Sequence, residues 1–206
     1  MVAVIVTHTV FPIDDTKKIK DSLWLALQKL EWIYRDCLHK PLDNENRVVK
    51  WAREINQHIN EARIIFEESK SEIMRKNPIE DWGFFLDHVE RAYEAVLDLR
   101  DIKHRPSNDF LYTHFLSNIR KTTEEIVFAI EDFILSLEGK DVKNVYDLRD
   151  ALALMNHELV QFKENQFQQI QNPDEWQNLF VFAYALRVLG NELLTIKEKA
   201  IPLSNH

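Results

Sequence analysis

Glycine is almost missing from this chain, and proline returns at wide, fairly even intervals. Only Gly83, Gly139 and Gly190 occur, while the six prolines are Pro12, Pro41, Pro78, Pro106, Pro173 and Pro202. Proline breaks helix interiors and glycine favours helix C-termini, so Pro12, Pro41, Pro78, Pro106, Gly139, Pro173 and Pro202 divide the sequence into six blocks of similar length. Each block is long enough for one helix and carries too few turn residues for a set of strands.

The apolar residues inside the blocks recur at intervals of three and four, as one buried stripe on a helix requires. Block one has Asp14, Asp15 and Thr16 as N-cap candidates, then Ile19, Leu23, Leu27, Leu30, Tyr34 and Cys37. Block two, from about Asp43 to Arg75, has Val48, Trp51, Ile55, Ile59, Ala62, Phe66 and Ile73. It also offers Lys50/Glu54, Arg63/Glu67 and Glu72/Lys76 as i,i+4 pairs. Block three, from Pro78 to about Lys103, repeats the spacing through Trp82, Phe85, Leu86, Val89, Tyr93 and Val96. The fourth carries Leu111, Phe115, Ile119, Ile126, Ile130, Phe133 and Leu137, and stops at Gly139 as a C-terminal glycine. The fifth uses Leu148, Leu152, Met155, Leu159, Phe162 and Phe167; the sixth opens on Asn172-Pro173, an N-cap followed by proline at the first helical position.

The sixth block is apolar on nearly every side. It should therefore lie at the centre of the bundle or form an interface, with Phe180, Ala183, Leu186 and Gly190 as its helix-packing residues. A glycine inside a helix costs about 1 kcal/mol relative to alanine, so Gly190 predicts the close approach of another helix. The expected fold is all-α, an antiparallel bundle of about six long helices. Residues 13–206 form one domain and residues 1–12 a stub. The block lengths come without sequence self-similarity, which argues against a helical repeat array.

Several chemistries are excluded by residue type and spacing. With 34 acids against 26 bases and a formal charge of −8, the chain lacks the basic surface that binds a nucleic-acid backbone. Three scattered glycines cannot build a phosphate cradle, and no Gly-x-Ser-x-Gly elbow occurs. The paired Glu-x-x-His motifs of a di-iron bundle are missing; Asp101/His104 and Glu54/His58 are isolated approximations. His88, His114 and His157 read as structural or exposed residues, and Glu124/Glu131 as the wet side of a helix. Cys37, the lone cysteine, falls on an apolar stripe and reads as an inert core thiol. No catalytic residue, metal or cofactor is expected, and the chain is not read as an enzyme.

What remains is the opening, "MVAVIVTHTVFP". Its β-branched run favours a strand on propensity, but a strand needs a partner and the chain supplies none. It could instead be a short arm packed on the bundle, or the last turns of a transmembrane helix. The longest unbroken apolar runs, Met1–Val6 and Leu179–Leu186, are far shorter than the roughly 20 residues of a membrane-spanning helix. A signal peptide fits poorly, since no basic residue leads the run and no small-residue cleavage site follows. Directly after Pro12 come Lys17, Lys18 and Lys20, a basic cluster of the kind found on the cytoplasmic side of a membrane segment, diluted by Asp14 and Asp15.

The stretch "VAVIVTHTVFPIDDTKKIKDSLWLALQKLEWIYRDCL" resembles the junction in the fusaric acid resistance and aromatic acid exporter family of membrane proteins. There a final transmembrane helix ends in an aliphatic-Phe-Pro turn and a long cytoplasmic helix follows. The far end, "WQNLFVFAYALRVLGNELLTI", is similar to the closing helix of that family's soluble domain. The resemblance covers the two ends of the chain, and the membrane bundle that would form the transport pathway is missing. It implies a cytoplasmic helical domain of, or split from, such a transporter, at the cytoplasmic face of a bacterial inner membrane. Val2, Val4, Ile5, Val6, Val10, Phe11 and Pro12 would then mark the membrane-proximal end, with Lys17, Lys18 and Lys20 near lipid headgroups. Its partners would be a membrane-embedded transporter segment or a lipid surface, with a homo-oligomer as a further option and no nucleic acid. The alternative is a free-standing cytoplasmic scaffold or ligand-sensing bundle.

Overall fold

Six long helices carry the apolar stripes, and no strand occurs among the described residues. The computed structural model describes the backbone of residues 3–39, 45–76, 82–105, 111–140, 147–166 and 172–200. It describes side chains over 15–39, 46–70, 82–105, 111–140 apart from 112, 147–164 and 172–199. The helices are α1 (Ala3–Cys37), α2 (Glu45–Lys76), α3 (Trp82–Lys103), the single turn α4 (Leu116–Asn118), α5 (Arg120–Leu137), α6 (Leu148–Gln166) and α7 (Pro173–Ala200). A π-helical turn, Leu111–Phe115, leads into α4.

Side-chain pairs give the direction of each helix. Asp15 meets Ser69 and Lys29 meets Glu54, so α2 runs antiparallel to α1. Arg63 reaches Asp87 and Glu90, which sets α3 against α2, and His88 meets Glu192 while Arg105 meets Asn178, which sets α7 against α3. Trp24 bonds Glu138 and Arg35 bonds Glu131, so α5 opposes α1. Two triplets, α1–α2–α3 and α5–α6–α7, thus share an interior built from α1, α3, α5 and α7. Phe85 and Phe133 cross it with ring centroids 5.8 Å apart.

Most of the predicted stripe residues form the core, with Trp51, Tyr93, Leu137 and Leu159 partly buried against it, while the Ile73 and Phe167 side chains and the Glu72/Lys76 pair lie outside the described residues. Ile19, Leu23, Leu27, Leu30, Tyr34 and Cys37 are all fully buried. Buried as well are Ile55, Ile59 and Ala62 of α2, Leu86, Val89 and Val96 of α3, Ile126 and Ile130 of α5, and Met155 of α6. Gly139 ends α5 at φ 69°, and the Lys140 N–H donates to the Leu135 carbonyl at 3.0 Å, closing a Schellman motif. Asn172 caps α7 by accepting from the Asp174 N–H at 3.0 Å.

Three local expectations need correction. Pro12 does not end a stub: α1 runs unbroken from Ala3 to Cys37. A proline inside a helix removes one backbone hydrogen bond, and Thr9-Val10-Phe11 offers no glycine, asparagine or aspartate with which to make a turn instead. Asp14, Asp15 and Thr16 consequently lie inside the helix and not at its N-terminus; Asp15 accepts from Ser69 and pairs with Lys18, and the Asp14 side chain lies outside the described residues. The second correction concerns Arg63. Instead of pairing with Glu67 on its own helix, it binds Asp87 at 3.0 Å and Glu90 at 2.6 Å on α3. Finally, the fourth block is not one regular helix. The π-helical turn and Ile119, at φ −98° and ψ 18°, interrupt it while still burying Leu111, Phe115 and Ile119.

Candidate functional site

The residues that the resemblance would make membrane-proximal fall at the start of α1. The contacts just described set the height of each helix end along that element. Lys20 Nζ lies 5.5 Å from the Trp82 ring, so α3 begins level with residue 20. Trp24 Nε1 donates to Glu138 at 2.9 Å, so α5 ends a turn earlier. Lys199 Nζ sits 4.0 Å from the Phe84 ring, which brings the end of α7 to the same level. Beyond it α1 continues to Ala3, roughly 25 Å of helix, and α2 runs beside it where Asp15 meets Ser69.

Val4, Ile5, Val6, Val10, Phe11 and Pro12 belong to this projecting part of α1 as backbone, and their side chains lie outside the described residues, as does all of Val2. Lys17 and Lys18 are exposed just below it. Lys18 pairs with Asp15 at 3.3 Å, and Lys20 is half-buried over Trp82. Two of the three lysines therefore face solvent, and the third is part of the junction between α1 and α3.

Several other groups able to do chemistry make structural contacts. Burial pushes the Cys37 thiol up to about 12, leaving no thiolate near neutral pH. Burial likewise raises Tyr34 well above the usual phenol range, and its hydroxyl donates to the Thr123 carbonyl at 3.3 Å. Glu124 pairs with Arg120, and Glu131 with Arg35. Among the described residues no group of three or more His, Cys, Asp and Glu side chains could hold a metal ion. His114 and His157 are exposed, whereas His88 Nδ1 meets the Glu192 carboxylate across α3 and α7. No signal in the sequence joins those two residues, which are 104 positions apart.

No protein-family model matches the chain, and no curated protein or solved structure shows significant similarity to it.

The last helix presents two different faces. Ala183 and Leu186 are buried, and Gly190 faces α6 so closely that a Cβ there would lie 2.7 Å from Leu152 Cδ2. These three residues pack within the chain. Phe180 turns outward and is 39% exposed, beside Tyr184 at 56%. Together with Leu159, Val181, Asn156 and Arg187 they line an open groove of about 390 Å³ between α6 and α7. A second hollow of about 420 Å³ continues it toward Arg149 and Glu198. By length and composition α7 is apolar enough to cross a membrane, yet half of its most apolar window is buried in the bundle. Its packing on α3, and the pair of Glu192 with His88, give the apolar residues a use as core.

Proposed function

We propose that the chain is a non-enzymatic helical domain working at the cytoplasmic face of a bacterial inner membrane. It would belong to, or be split from, an aromatic-acid-exporter-like transporter and support that protein's assembly or regulation. The observation that carries this reading is the unbroken α1, which holds the apolar opening residues well past the level where α3, α5 and α7 end. A helical extension of apolar sequence with exposed Lys17 and Lys18 at its base suits a bilayer surface, where lysines meet anionic headgroups. Transport by this chain alone forms no part of the proposal.

The second reading, a free-standing cytoplasmic scaffold or ligand-sensing bundle, draws on the core itself, which is well filled by the chain's own helices. Flotation of the full chain with anionic vesicles separates the two. The membrane reading expects recovery in the lipid fraction, lost on deletion of residues 1–11 with little change in melting temperature. Protein that stays out of the lipid fraction, together with a large loss of stability on that deletion, overturns it in favour of an arm packed on the bundle.

A further inference from the structure

The long helices are not held equally. α3 buries ten of its 22 residues, spread from Trp82 to Lys103. α6 is 19 residues long, and its buried side chains are Leu148, Ala151, Leu152, Met155 and Phe162. Leu154 and Val160, apolar as well, turn to solvent. α2 also buries a single stripe, but polar ties fix it along its length. Lys29 meets Glu54, Tyr93 donates to the Ala52 carbonyl, Arg63 reaches two carboxylates of α3, and Ser69 donates to Asp15.

On α6 such ties gather at one end. Thr122 donates to the Ala151 carbonyl at 2.7 Å, and Arg149 pairs with Glu198 at 2.7 Å, both in the first turn. The side chains of that pair are 75% and 61% exposed, and an ion pair so open to water adds little. Farther along, Leu152 seats on Gly190, and Phe162 meets the Phe115 ring edge-on at 5.6 Å. The two hollows of about 390 and 420 Å³ open along the seam of α6 and α7 from Arg149 to Leu159, and this seam is less closely packed than that of α3 and α7.

A segment with few buried apolar contacts opens at a lower free energy than the whole molecule unfolds. We propose that α6 is a strap that opens as a unit, leaving α5 and α7 and uncovering Phe115 and the Gly190 side of α7, while the other long helices keep their packing. Contacts that do not pass through α6 hold those helices: Phe85 with Phe133, Trp24 with Glu138, and His88 with Glu192. Once released, a helix of 19 residues is marginal in water, so its amides lose protection together. This opening involves α6 and its two neighbours, so it stands whether or not the start of α1 meets lipid.

Native-state hydrogen exchange of the full chain at low concentrations of guanidinium chloride tests it. The amides of α6 should exchange roughly a hundredfold or more faster than the slowest amides of α1 and α3. They should also converge on one opening whose dependence on denaturant is shallower than that of global unfolding. Ile55→Val, in the buried stripe of α2, weakens packing that is the same whether α6 is docked or released. It should therefore speed the slowest amides of α1 and α3 by about three- to tenfold and leave those of α6 unchanged. Protection of α6 equal to that of α3 overturns the inference. So do α6 amides that exchange one by one with no dependence on denaturant, or that change in step with α1 and α3 in Ile55→Val.

Discussion

Lys103, at the end of α3, donates from its ammonium to both the carbonyl and the carboxylate of Asp36 in the last turn of α1, at 2.8 and 2.6 Å. Lys103 is 2% exposed, so its ammonium is almost wholly withdrawn from water at this helix end. A cation at a helix C-terminus also meets the carbonyls that lack a partner in the helix.

Replacing Lys103 with Met should therefore loosen the junction of α1 and α3. The cost falls below that of breaking a fully buried pair, because the Asp36 side chain is 26% exposed and regains water. A loss of about 1–2 kcal/mol is expected, read as a melting temperature lower by about 3–6 °C. No change in melting would show that the contact contributes nothing to stability.

Gly190 and Leu152 make a prediction whose sign depends on background. Gly190→Ala gains about 1 kcal/mol of helix propensity, but the new methyl meets Leu152 Cδ2 at 2.7 Å and Cδ1 at 2.8 Å, so Leu152 must leave its rotamer and shift toward the hollow it lines. Overpacking should win, for a net loss of about 1 kcal/mol. With Leu152→Ala already present the obstacle is gone, and the same substitution should become stabilising. Denaturation of the four proteins in a double-mutant cycle checks this, and additive effects would contradict it.

Gly139 should resist substitution for a reason unrelated to space. Nothing lies within 4 Å of a Cβ added there, so the cost of Gly139→Ala is that of its φ of 69° alone. About 1 kcal/mol is expected, measured by denaturant unfolding, and a neutral result would mean that the turn can rearrange.

Asp147 caps α6 by accepting from the Asp150 N–H at 3.1 Å, and that bond holds its carboxyl below the usual aspartate range. A folded pKa below the unfolded one means that the stabilisation is complete above the unfolded value, near about 4, and is lost as pH falls through the folded value. Asp147→Ala should thus melt lower than the unchanged protein at neutral pH, and the gap should close progressively below about pH 4. A gap independent of pH would show that the cap does not depend on charge.

The long-period features of the fold were legible because each depends on one helix. Ile19 through Cys37 share a stripe by spacing alone, and Gly139 and Asn172 act through their own turns. Pro12 misled because a proline's effect depends on what the flanking chain can do instead, and here Thr9 to Phe11 had no turn to offer. Arg63 chose Asp87 and Glu90 over Glu67 because α3 brought two carboxylates to it, a fact of packing rather than of spacing. Gly190 announced a close neighbour without naming Leu152. The outward stripe of Phe180 and Tyr184 was only half visible. Period alone showed an apolar helix, and only burial separated Ala183 and Leu186 inside from Phe180 outside.

Entry of the opening of α1 into lipid is measured with spin labels at Val6→Cys and Lys17→Cys in the presence of anionic vesicles. Cys37 leaves the background clean, since its buried thiol is pushed up to about 12. The label at residue 6 should become accessible to membrane-dissolved oxygen and shielded from a water-soluble nickel chelate, while the label at residue 17 stays open to the chelate. A label at residue 6 whose accessibility is the same with and without vesicles would contradict that entry.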